Sequence, residues 1–162
     1  MQKFILSVLV ENKFGVLARV AGLFSARGYN IDSLAVAETE DPSMSRITMA
    51  VHADEKILEQ IKKQLNKLID VIKVADLTGR NCIDREIVLA KVKIDAKTRE
   101  KVIQAADSLS AKVVDIGKNT ITIEETGDAK KINATLELLR PFGIAEIVRT
   151  GKIAIQSEQE EK

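Results

Sequence analysis

The order in which two hydrophobic periodicities alternate along this chain leaves few folds open to it. Phe4 to Val10 is a β-branched and aliphatic run, the pattern of a strand. Asn12-Lys13-Phe14-Gly15 follows, and asparagine first with glycine fourth matches a type I turn. Val16, Leu17, Val20, Leu23 and Phe24 then recur at the spacing of one helical face, until Gly28 stands where a left-handed C-cap would stop the helix. Ile31 to Glu38 alternates as a second strand, Asp41-Pro42-Ser43 turns the chain, and Arg46 to His52 supplies a third. Asp54 is a fit N-cap for a helix whose apolar side chains are Ile57, Leu58, Ile61, Leu65, Leu68 and Ile69. Val71 to Leu77 closes the unit as a fourth strand.

After Thr78-Gly79-Arg80-Asn81 the same order returns: strand Ile87 to Ile94, helix Thr98 to Leu109, strands Lys112 to Ile116 and Thr120 to Glu125 joined at Gly117-Lys118-Asn119, helix Asp128 to Leu139, strand Ala145 to Arg149. The repetition is one of element order, not of letters. Two right-handed strand-helix-strand crossovers in one small antiparallel sheet make a ferredoxin-like sandwich with both helices on one face. The expected fold is therefore α+β, two ferredoxin-like βαββαβ sandwiches, at residues 1–78 and 86–156, with a linker at 79–85 and a charged, disordered tail at 157–162. Ile153-Ala154-Ile155 reads as a short added edge strand of the second sandwich. Such units leave one sheet face and their edge strands uncovered, so at least a homodimer is expected.

Chemistry is harder to find. His52 is the one histidine and falls inside a strand, while Cys82 is alone and not at ligand spacing from it, so neither a metal site nor a catalytic triad is expected. A lone cysteine also suits a reducing cytoplasm. No glycine-rich phosphate cradle occurs, so no nucleotide cofactor is expected in this chain. The 25 Lys and Arg balance 24 Asp and Glu, with neither half strongly basic, and the strands that could stack bases carry aliphatic side chains; nucleic-acid binding is disfavoured. Neither a signal peptide nor an apolar membrane span is legible.

One constellation carries a mechanism. At Asn12-Lys13-Phe14-Gly15-Val16-Leu17 a glycine at a strand-to-helix junction permits close approach, and the helix start offers unpaired N–H groups to a carboxylate. Asn12 adds an amide that suits the zwitterionic head of an amino acid. Alone, Asn-x-x-Gly is usually only a turn. Asn30, in Gly28-Tyr29-Asn30-Ile31, offers a second amide at the start of the next strand.

Together with Ile5-Leu6-Ser7-Val8-Leu9-Val10-Glu11-Asn12, Gly22 to Ile31, Glu59 to Leu68, Arg85-Glu86-Ile87 and Arg149-Thr150-Gly151, these segments make the chain resemble the small regulatory subunit of acetolactate synthase over nearly its whole length. The resemblance implies that the first half is an ACT domain that binds amino acids and dimerises. It implies a non-catalytic chain with no cofactor or metal of its own, which activates a large catalytic subunit holding thiamine diphosphate, magnesium and FAD. It also implies feedback inhibition by valine, or by leucine or isoleucine. Carried onto this sequence, the effector loop is Asn12, Gly15, Val16 and Leu17, with Asn30 and Ile31 supplied across the dimer interface. Ala18 stands where relatives often have serine or another small residue. Asp95-Ala96-Lys97-Thr98 replaces the Asn-x-x-Gly pattern in the second half, which is expected to contact the catalytic subunit instead. The alternatives are a stand-alone ACT sensing module acting on a different enzyme, a small enzyme using its sheet surface, and an RNA-binding module.

Overall fold

The computed structural model describes residues 2–79 and 82–158, which form two compact units. The first contains β1 (Gln2–Glu11), α1 (Val16–Ser25), β2 (Ser33–Glu38), β3 (Met44–Ala53), α2 (Glu55–Leu65) and β4 (Val71–Asp76). Its sheet has the order β2-β3-β1-β4. All the pairings are antiparallel, with Leu6 opposite Met49, Ala35 opposite Thr48, and a register shift at Leu9/Val10 where β1 meets β4. This is the ferredoxin-like order that the element sequence requires.

Alternation explains the core. Phe4, Leu6, Val8 and Val10 of β1 and Ile47, Met49 and Val51 of β3 point to one face and are buried. There they meet Val16, Val20, Leu23 and Phe24 of α1 and Leu58, Ile61 and Leu65 of α2. The helix boundaries follow from local chemistry. Gly28 adopts φ 67°, and the Tyr29 N–H returns to the Phe24 carbonyl at 3.0 Å, closing α1 by a left-handed cap. Asp54 Oδ1 accepts from the Ile57 N–H at 2.8 Å, satisfying a donor that the first turn of α2 leaves open.

The second unit, Asp84–Thr150, repeats the plan with most of β5 (Cys82–Lys93), then α3 (Arg99–Ser108), β6 (Lys112–Ile116), β7 (Thr120–Gly127), α4 (Ala129–Leu139) and β8 (Ile144–Arg149), in the sheet order β6-β7-β5-β8. Val92, Val102, Ile121, Ile123 and Leu139 make its core. Two carboxylates are buried in it with partners: Glu86 takes a bidentate pair from Arg149 at 2.7 and 2.8 Å, and Glu125 meets Lys131 Nζ at 2.7 Å and the Thr135 hydroxyl at 3.1 Å.

Two boundaries differ from expectation, and a third lies largely outside the described residues. The linker expected at 79–85 is strand from Cys82 onward, since the alternation that buries Glu86 and Val88 extends back through Asp84; Arg80 and Asn81 lie outside the described residues. The last strand pairs with β5 as the expected added strand of the second sheet, yet the residues from Gly151 onward, expected within the second sandwich, group with the first unit. There β9 (Ile153–Gln156) packs on β1 and β3, the two central strands, and so lies on the face away from the helices. Ala154 is buried, and Ser7, Thr48 and Ala50 on that face are 4%, 4% and 0% exposed. Approach is possible because Gly151 has no side chain: a Cβ there would stand 3.3 Å from that of Ser33. The tail expected at 157–162 lies outside the described residues beyond Glu158.

Candidate ligand-binding site

The β1–α1 junction is built differently from the turn expected at Asn12–Gly15. The closing bond runs from the Val16 N–H to the Lys13 carbonyl at 3.3 Å, which shifts the turn one residue on. Gly15 then occupies the third position with φ 81° and ψ −6°, the geometry of a type II turn, which calls for glycine there. The asparagine is thereby released for another task. Its backbone N–H bonds the Ser43 carbonyl at 2.7 Å, and its Nδ2 donates to the Pro42 carbonyl at 2.9 Å. Asn12 therefore anchors the β2–β3 turn to the start of α1, and one N–H of its amide is already committed.

Beside this junction is a cleft of about 400 Å³, lined by Val10, Glu11, Asn12, Lys13, Val16, Leu17, Val36, Ala37, Glu38, Ser45 and Ile47. Its floor is apolar and its rim carries both signs of charge. Leu17 is 40% exposed and Val36 45%, so aliphatic surface remains for a small side chain to cover. The first turn of α1 leaves the N–H groups of Leu17 and Ala18 without an intrahelical acceptor, a partial positive charge for a carboxylate. Glu11 and Glu38 provide the opposite sign for an ammonium group. Lys13 is paired with Glu11 at 2.7 Å, and that hydrogen bond, with the charge behind it, raises the lysine's pKa.

Of the six residues expected to bind an effector, the structure brings Asn12, Val16 and Leu17 together at this cleft. Gly15 adjoins it without lining it. Its bare Cα faces the other way, toward Arg19: a Cβ would lie 3.0 Å from Arg19 Nη1. That guanidinium is held by Asp70 at 2.7 and 2.8 Å. Asn30 and Ile31 are elsewhere in the unit. They precede β2 at the end where β3 finishes, with the Asp32 N–H bonded to the Ala50 carbonyl at 2.9 Å. Glu38 and the cleft lie at the other end, beside Ser45. The length of β1 between Lys3 and Glu11 separates the two ends by about 26 Å. Ile31 is also partly committed to the core of its own unit. Val36 and Glu38 were not singled out by sequence; only the register of β2 on β3 places them here, beside Ser45.

Among the described residues no cluster of three or more His, Cys, Asp or Glu could hold a metal ion, and no helix is long and apolar enough to cross a membrane.

Comparison with known proteins bears on what this cleft serves. A family described as "AHAS small subunit-like ACT domain" matches residues 6–73, and one described as "Small subunit of acetolactate synthase" matches residues 85–158. The chain belongs to the acetolactate synthase small-subunit family. Among its relatives, the acetolactate synthase small subunit of Mycobacterium leprae is 52% identical over 150 residues, covering 93% of this chain and 89% of that one. That of Aquifex aeolicus is 47% identical over 158 residues, covering 97% and 82%. The crystal structure of the small subunit from Thermotoga maritima superposes with a TM-score of 0.89 at 36% identity, covering 99% of this chain and all of that one. The small-subunit relatives thus share both ferredoxin-like units, and the cleft belongs to the ACT one.

Proposed function

We propose that this chain is the non-catalytic regulatory subunit of an acetolactate synthase. It activates a large subunit that carries thiamine diphosphate, magnesium and FAD, and it confers feedback inhibition by valine, leucine or isoleucine in branched-chain amino-acid biosynthesis. The observation that carries the reading is the mixed-charge cleft at the β1–α1 junction of an ACT unit. In it, an amino acid's carboxylate meets the start of α1, its ammonium meets Glu11, Glu38 and the Asn12 carbonyl oxygen, and its branched side chain covers Leu17 and Val36.

The cleft opens beside β2, an edge strand whose outer backbone groups pair with no other strand among the described residues. A two-fold axis at that edge, perpendicular to the strand, sets β2 antiparallel to its copy and reverses the two ends. Asn30 and Ile31 of one protomer then come to the cleft of the other, which supports their inclusion in a site shared by two chains. A ligand binding one dimer geometry more tightly shifts the equilibrium that the catalytic subunit reads, and about 1–3 kcal/mol of coupling gives a many-fold change.

Reconstitution with the large subunit tests this, with acetolactate formation measured with and without each of the three amino acids. Activation by this chain and inhibition by at least one of them are expected. Leu17→Asp sets a carboxylate at the rim from a half-exposed position, so the fold is kept while effector affinity, read by titration calorimetry, falls at least tenfold. Unchanged affinity in that variant removes the cleft from the scheme. A stand-alone sensor acting on a different enzyme would bind the amino acid and fail to stimulate the large subunit.

A further inference from the structure

We infer that Asp70 is a positioning residue of the effector cleft, clamping both ends of the loop that forms one wall of it. The inference rests on the effector reading above and names the residue that keeps that site in shape. Asp70 belongs to neither β1 nor α1 and does not line the cleft, yet it holds the one to the other. Its backbone carbonyl accepts from the Glu11 N–H at 2.9 Å, at the end of β1. Its Oδ2 accepts from Arg19 Nε at 2.8 Å and meets Arg19 Nη2 at 2.7 Å, in the first turn of α1. Between these two points runs the stretch of chain that gives Glu11, Asn12, Lys13, Val16 and Leu17 to the cleft.

Asp70 is itself a fixed point. It is 8% exposed, and on either side of it Leu68 and Val71 pack against the core of the first unit, with the Val71 N–H returned to the Leu68 carbonyl at 3.1 Å. One partner of the ion pair is thus buried while the other is half-exposed, so dissolved salt screens it less than a pair on the open surface. Arg19 reaches the carboxylate past the bare Cα of Gly15, where a Cβ would stand 3.0 Å from Nη1; the glycine makes room for the guanidinium. On the β3 side of β1, Asn12 is tied to the Pro42 and Ser43 carbonyls, and Asp70 holds the β4 side, so the loop is secured from both flanks. The start of α1 and the Glu11 carboxylate are then in place before a ligand arrives, and binding need not order them. The charge of Asp70 reaches the cleft as well: Glu11 first, by hydrogen bond and charge, and Asp70 behind it raise the Lys13 pKa. Neutralising Asp70 therefore removes both a clamp and a charge, whereas neutralising Arg19 removes the clamp and keeps that charge.

Calorimetric titration of the full chain with valine, leucine and isoleucine in turn reads the clamp as affinity. Asp70→Asn leaves a neutral acceptor and the backbone bond to Glu11, and lowers affinity about fivefold; Arg19→Gln, at a half-exposed position that endangers the fold less, lowers it by about as much. The double variant loses about the same fivefold, because either change opens the clamp. Asp54→Ala is the control, a destabilising change at the other end of α2 that leaves affinity unaltered. A merely structural Asp70 would behave like that control, with a lower midpoint in urea and unchanged affinity, and that result overturns the inference. So does a loss confined to Asp70→Asn, which assigns the effect to charge alone, and so do losses that multiply in the double variant. Absence of binding by the unaltered chain overturns the effector reading itself, whereas binding that ignores residues 19 and 70 overturns only the present one.

Discussion

Gly15 answers to two constraints at once, and neither needs a ligand. Its φ of 81° is strained for any residue with a Cβ, and such an atom would press on the Arg19 guanidinium that Asp70 holds. Gly15→Ala is therefore expected to destabilise the first unit by roughly 1–2 kcal/mol, read as a lower midpoint in urea unfolding. For the same reason a charged residue at position 15 is a poor probe of the cleft, and Leu17→Asp is the cleaner one. Asn12 and Gly15 stand out in the sequence as a turn pattern, yet their tasks were only half legible there. That Asn12 spends an N–H on Pro42, and that Gly15 looks toward Arg19, depends on residues 30 and 4 positions away whose placement only the register and the helix phase decide. His52 and Asp32 are the extreme case. Twenty residues apart and in different elements, they form a pair because His52 lies opposite Lys3 on the open face and the chain before β2 bends across it.

Helices were the most legible elements, since each is announced by a local chemical signal. Asp54 and Asp128 both cap as their sequence positions suggest, each accepting an N–H from three residues on, at 2.8 Å. Asp54→Ala should cost about 1 kcal/mol, measurable by thermal unfolding at neutral pH. Three aspartates at turns and helix starts have lowered pKa values. Asp41 is lowered by the Ser43 hydroxyl and N–H, Asp95 by the Thr98 hydroxyl and N–H, and Asp128 by the Lys131 N–H. A carboxylate whose pKa is lower folded than unfolded stabilises above the unfolded value of about 3.9 and ceases to do so as pH falls through the folded value. Thermal midpoints should therefore hold between pH 7 and 5 and decline below pH 4. Replacing Asp95 and Asp128 by Asn should make that decline shallower. Strand β9 was the least legible element. Ile153-Ala154-Ile155 reads as an added strand and does pair with β5, but only the small Ala154 is buried, and four residues carry no mark of the second surface, on β1 and β3, that they also meet.

At the scale of the molecule, the repeated element order predicts two sandwiches, and two are present, each with its own core. What the order could not convey is that the last strand, which pairs with β5 as expected, would also pack on the sheet of the first unit. Ending the chain after Thr150 removes the cover over Ser7, Thr48 and Ala50. The first unit should then unfold at a lower temperature, a change that calorimetry resolves when the two units unfold separately. Dimerisation through β2 predicts that the effector-binding variants Asn30→Ala and Leu17→Asp, each inactive alone as a homodimer, regain one intact site in a mixed dimer.

The return of β9 also bears on the timing of synthesis. A ribosome delivers this protein from its amino terminus, so the first sandwich leaves the tunnel with one side of its sheet bare and must wait for the whole second sandwich before its closing strand arrives. During that interval the nascent chain presents an uncovered sheet face to its surroundings, and polysome-borne copies offer that face to one another before either has been finished.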